Sequence, residues 1–237
     1  MNEKSNVTKL IHEAIDCSGD EGYSKAINLL TKAISIQPNN EQAYFERGMA
    51  YLELDKDTDA IADFDRALNI NPEYSGARDW RAVALKALGQ FGAAAEDQYK
   101  NLRYNPDGEY GMGVNPQSWA DCADSFVSSG NHTKARELLS EYFSVHSTKV
   151  EKYASYETAP MRALSKLLVQ SGEFESAVEF GKKAYNSKHK RPADILVYAL
   201  ALEAYGALED AKKIAEEAMN INDQMSGVKE LHQRLAG

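Results

Sequence analysis

The sequence predicts an all-α solenoid of antiparallel helix pairs closed by a C-terminal helix, and three observations predict it. Pro38, Pro72 and Pro106 are evenly spaced, at an interval that holds two short helices and a turn. Six segments put a small residue at their eighth position: Ala14, Gly48, Ala82, Ala123, Ser165 and Ala199. The same six put alanine at the twentieth: Ala26, Ala60, Ala94, Ala135, Ala177 and Ala211. Where the two helices of a hairpin cross closely, a larger side chain holds the backbones apart, so columns of small residues mark the crossings. The units run over 7–40, 41–74, 75–108, 116–149, 158–191 and 192–225, with a capping helix over 226–236, read together as one domain of residues 1–237.

The first unit places Leu10, Ala14 and Cys17 on one helical stripe and Ala26, Leu30 and Ala33 on the next, with Ser18–Gly22 as the turn. The second has Tyr44, Gly48 and Tyr51 on its first helix, Ala60, Phe64 and Ala67 on its second, and stops at Asn71-Pro72. That order of aromatic, Gly, Tyr, Ala, Phe, Ala and Pro across Glu41–Tyr74 resembles the tetratricopeptide repeat. Only Arg47 departs, where the family usually has Leu. The third unit keeps Arg78, Ala82, Leu85, Gly89 and Ala94, but Gln98 and Asn101 replace the family's Phe and Ala.

After Pro106 the phase breaks at Asp107–Asn115, a Gly-rich loop with inserted residues. Pro116, a favoured first-turn residue, opens the fourth unit with Trp119, Ala123, Phe126, Gly130, Leu139 and Tyr142. A second insertion, Val150–Glu157, precedes the fifth unit, whose Gly181 stands where a large apolar residue belongs, so the helices there pack closely or weakly. The sixth starts at Pro192 with Ile195, Ala199, Leu202, Gly206, Ala215 and Ala218. The last helix sets Val228, Leu231 and Leu235 against Lys229, Glu230, Gln233 and Arg234, the polar outer side an end cap needs.

Composition narrows the function classes. The net charge is −9, and residues 1–74 alone carry 14 acidic against 7 basic side chains. An acidic chain repels phosphate backbones, so nucleic acid is not expected as a partner; the acidic excess serves solubility or, in the sharper reading, docks a basic partner near the N-terminal repeats. No apolar run is long enough for a membrane span, and no basic-then-apolar leader opens the sequence. With two cysteines, Cys17 and Cys122, both on inner helices, buried free thiols in a cytoplasmic setting are expected.

Chemical signals are absent or explained away. Asp55, Asp57 and Asp59 open like a calcium loop, but Ala60 and Arg66 stand where Gly and Glu are required, and aspartates suit a helix start. Gly111-Met112-Gly113 follows no strand and leads to no phosphate-binding Lys, although Tyr110 and Met112 could form a contacting tip. The five histidines, including His189 in a basic turn, lack metal-ligand spacing, and no nucleophile has a partner base. No catalysis and no cofactor are expected.

The resemblance implies a right-handed superhelix whose concave face, lined by the first helices, holds an extended peptide or a helix of another protein. Its lining positions fall on Ile11, Ile15, Phe45, Met49, Leu52, Asp79, Val83, Asp124, Arg162, Lys166, Leu196 and Leu200. These give a hydrophobic N-terminal groove, an acidic middle and a basic spot at Arg162 and Lys166, suited to an apolar segment with basic flanks. The alternative is that these side chains pack on one another. Family members that clamp a chaperone's terminal carboxylate use Lys and Asn here; this chain has Ile, Phe and Met, with Glu46 and Trp80 where donors would be needed. Besides an adaptor, an inhibitor masking a basic enzyme or toxin and a self-stacking scaffold are compatible readings.

Overall fold

The computed structural model describes residues 3–104, 115–146, 158–188, 191–222 and 226–236. Of the loop expected at Asp107–Asn115 all but Asn115 lies outside them, as do the insertion at Val150–Glu157 and His189. Every element among the described residues is helical, and the chain divides into two compact units, 1–105 and 106–237.

The N-terminal unit holds three helix pairs: α1 (Glu3–Ile15) with α2 (Gly19–Ile36), α3 (Glu41–Leu52) with α4 (Asp57–Ile70), and α5 (Ser75–Ala87) with α6 (Phe91–Tyr104). Each helix packs on the next, and α3 also touches α1 and α5, so the three first helices share one face. Asn40 caps α3 by accepting the Ala43 amide at 2.9 Å. Asp57 and Asp59 occupy the first turn of α4, where the macrodipole favours them. Asp55 just before is left-handed, φ 55°, at the place taken by Gly89, Gly130, Gly172 and Gly206 in other units. The first turn is shorter than its sequence implies, because α2 starts at Gly19 and absorbs Asp20 and Glu21 as favourable first-turn acids. Helix α1 accordingly ends before Cys17, which is half-exposed rather than buried; Cys122 is buried, and neither is in a disulfide.

The departure at Arg47 has a structural cause. Its guanidinium donates through Nε and Nη2 to both oxygens of Asp63 on α4, each at 2.7 Å, and through Nη1 to Thr31 Oγ1 on α2 at 2.9 Å. One repeat later Arg81 does the same, bidentate to Asp97 at 2.7 and 2.6 Å and also paired with Asp65. Arginine thus ties its own second helix to that of the preceding pair. Asn101 is polar for a similar reason. Buried between α5 and α6, it accepts from Arg78 at 2.6 Å and donates to Asp79 at 2.6 Å and to the Ser75 carbonyl at 3.0 Å.

The C-terminal unit contains α7 (Pro116–Ser128), α8 (His132–His146), α9 (Thr158–Gln170), α10 (Phe174–Tyr185), α11 (Pro192–Tyr205), α12 (Leu208–Ile221) and α13 (Ser226–Ala236). Proline opens α7 and α11 as their spacing predicts, and Asn115 caps α7 by accepting the Gln117 amide. Helix α9 touches α7 and α11, and α13 touches α11, again placing the first helices side by side. At Gly181 the packing is close: a Cβ there would sit 3.1 Å from Tyr198 Cα. Val228 and Leu231 of α13 are fully buried against Ile195, Ala199, Ala215 and Ala218, so this helix covers the end of the stack.

Candidate binding faces of the first helices

The twelve lining positions expected from the sequence separate by their place in the repeat. Those at the fifth position turn inward. Ile11 is 3% exposed and belongs to the core of the first pair, which corrects its reading as an outward residue. Phe45 is half-buried, with its ring 4.9 Å from Tyr74 and 6.0 Å from Phe64. Asp79 is half-buried and accepts from Asn101, and burial pushes its carboxyl above the ordinary range. Arg162 is spent on Asp194 at 2.6 Å and Thr158 at 2.8 Å, so it adds no basic spot to the surface. Leu196 packs into the cluster under α13. At these positions the side chains are taken up by other residues of the fold, not by one another as the self-packing alternative has it.

Ninth-position residues face outward. Ile15 is 50% and Val83 45% exposed, Asp124 and Lys166 are exposed, and Met49 and Leu200 are half-buried. Leu52, at a twelfth position, leans on the α3–α4 core. Four residues advance a helix by about 40° beyond a full turn. That rotation is the difference between the seam against the neighbouring first helix and the open face.

Two cavities lie beside these exposed residues. In the N-terminal unit a cavity of about 160 Å³ is bounded by the end of α1, the start of α2 and the outer side of α3. Ile15, Met49, Tyr23 and Leu30 supply its walls, and Glu46 and Glu53 its polar groups. Burial pushes the Glu46 carboxyl up, with Gln42 its opposing hydrogen-bond partner. Tyr23 donates to Glu53, which together with burial raises the phenol; burial beside Glu46 and Glu41 pushes Tyr74 up to about 12. In the C-terminal unit a larger cavity of about 380 Å³ opens between α9 and α11, with Lys166, Val169, Val197, Leu200 and Ala204 around it. Glu203 at its edge is held by Arg234, at 2.8 and 2.7 Å.

The sequence pointed to four of these cavity residues, Ile15, Met49, Lys166 and Leu200, and missed Tyr23, Glu53, Val169 and Val197 as lining. Tyr23 sits on a second helix and Glu53 at a helix end, outside any lining rule drawn from first helices. Among the described residues no three of His, Cys, Asp or Glu gather as metal ligands, and no helix is long and apolar enough to cross a membrane.

The sequence pattern of the tetratricopeptide repeat matches residues 41–74. Hsc70-interacting protein 1 of Drosophila melanogaster is 33% identical over 107 residues, which are 45% of this chain and 28% of that protein. The chain therefore spans well under half the length of that relative. PilW, a type IV pilus biogenesis factor, superposes with a TM-score of 0.62 over 97% of each chain at 16% identity. YrrB, described as a TPR protein with an unusual peptide-binding site, superposes at 0.58 over 86% of this chain and 97% of its own, at 14% identity. These structures share the all-α superhelical fold of stacked helix pairs. The family's repeat thus stands at 41–74, with helix pairs of the same all-α superhelical fold before and after it.

Proposed function

We propose that this chain is a non-enzymatic protein-interaction module that holds an apolar segment of another protein on the face of its first helices. The observation that carries the reading is the run of outward ninth-position side chains, Ile15, Met49 and Val83, on three helices packed side by side next to a cavity. Aliphatic groups left half in water gain when a partner covers them. The Drosophila relative is named for its interaction with Hsc70, which supports a protein partner. The apolar ninth positions favour a segment anchored by side chains over one anchored by a terminal carboxylate.

The test is selection of a displayed random peptide library on the full chain. Fully burying an aliphatic side chain contributes about 1.5–3 kcal/mol. The Ile15→Asp/Val83→Asp variant should therefore bind the selected peptides at least tenfold more weakly while keeping its helical circular dichroism. A library that enriches no peptide, or peptides that bind the variant equally well, would remove the reading.

A further inference from the structure

The cavity of the N-terminal unit joins two chemistries that one kind of side chain satisfies. Its walls are Ala14, Ile15, Ala26, Leu30, Met49 and Ala50. Glu46 and Glu53, two helical turns apart along one stripe that starts in α3, bring carboxylates to the same space. We propose that this cavity is the anchor pocket for a lysine or arginine side chain of the bound partner segment, a proposal that rests on the interaction reading above.

A long cationic side chain lays its methylene stem on apolar walls and keeps its charged head at a polar rim. The cavity, at about 160 Å³, matches the size that accepts a small ring, about 150 Å³. Glu46 is half-buried with Gln42 as its hydrogen-bond partner, and among the described residues no Lys or Arg forms an ion pair with it. Glu53 is exposed and oriented by the Tyr23 hydroxyl. Elsewhere in the unit buried carboxylates are matched, Asp63 by Arg47 and Asp97 by Arg81. A desolvated carboxylate beside an apolar hole is short of a counter-charge, and the partner brings it. The surroundings agree in sign, since residues 1–74 hold 14 acidic against 7 basic side chains. Charge complementarity thus selects the occupant: an aliphatic segment of a partner protein carrying one inserted basic residue.

Peptides selected on the full chain are the probe. They should carry a lysine or arginine among aliphatic residues, and replacing it by norleucine, which keeps the stem and removes the charge, should weaken binding at least tenfold. Against Glu46→Gln/Glu53→Gln protein the two peptides should bind within twofold of each other. Glu21→Gln/Asp59→Asn changes the net charge equally at exposed sites outside the cavity and should preserve the tenfold preference. Selected peptides without a basic residue, equal binding of the norleucine peptide to wild type, or the same loss in the control pair would overturn the pocket and leave the interaction reading standing. Failure to select any peptide would overturn both. Sedimentation of wild type as a dimer and of Glu46→Gln/Glu53→Gln as a monomer would give the pocket to a second copy of this chain, against the proposal.

Discussion

Asp63 and Asp97 are 5% and 3% exposed, and a carboxylate taken that far from water must be paired or protonated. Each is held by both arms of an arginine fork. Breaking a buried pair by removing one partner costs about 3–5 kcal/mol, because the other charge stays buried alone. Arg47→Leu restores the residue usual in the family and leaves Asp63 stranded, so it should lower stability by about that amount. Arg47→Leu/Asp63→Ala removes both charges and should recover most of the loss. Urea unfolding of the two single variants and the double variant reads the coupling directly. The recurrence was present in the sequence: Arg47 and Arg81 stand one repeat apart, as do Asp63 and Asp97. The two members of each pair lie on different helices, though, a relation no single-helix periodicity registers. Ile11 departs from the outward place its sequence position implies for a related reason. A rule that treats fifth and ninth positions as one face ignores the rotation that separates seam from groove.

Helix pairs were the most legible level, because their crossings demand small residues at fixed intervals. The structure adds that the eighth and twenty-fourth positions divide a fixed space between them. Gly48 faces Phe64, whose ring is fully buried, and a Cβ on Gly48 would lie 2.7 Å from that ring. Ser165 faces Gly181, and its hydroxyl donates to the Ala177 carbonyl at 2.8 Å. Where the sequence has Ala14, it has Leu30 opposite, and the two share one core cluster. Gly48→Ala gains up to about 1 kcal/mol in helix propensity. Overpacking against a ring that cannot withdraw costs about 1–3 kcal/mol and should win, so the variant unfolds at lower urea. Gly48→Ala/Phe64→Leu recreates the Ala14–Leu30 pairing and should be more stable than Gly48→Ala alone. If the single variant is the more stable, the crossing is not set by this contact.

At the scale of the molecule, the scaffold is legible and the partner is not. Core columns are constrained by their own neighbours, whereas outward ninth positions such as Ile15 and Val83 stand about half in water, where packing fixes little. The charge distribution nonetheless leaves a measurable mark. Burial raises the folded-state pKa of Glu46 and of Asp79. A carboxyl raised in this way binds its proton more tightly folded than unfolded. Its contribution to stability is therefore complete below the ordinary carboxylate range and is lost as pH rises through the raised value. Glu173, lowered by Arg136, acts oppositely: its contribution is present above the ordinary range and is lost as pH falls through the lowered value. Of these three carboxyls only the first pair is shifted toward neutrality. Urea midpoints should thus rise as pH falls from about 7 to about 5. Protonation also relieves the repulsion of a chain with net charge −9, in the same direction. In about 1 M salt the screening length shrinks to about 3 Å and that general part fades. What remains should belong to the two half-buried carboxyls and shrink in Glu46→Gln/Asp79→Asn protein. An equal rise in wild type and variant at high salt would show that neither group is desolvated in the folded chain.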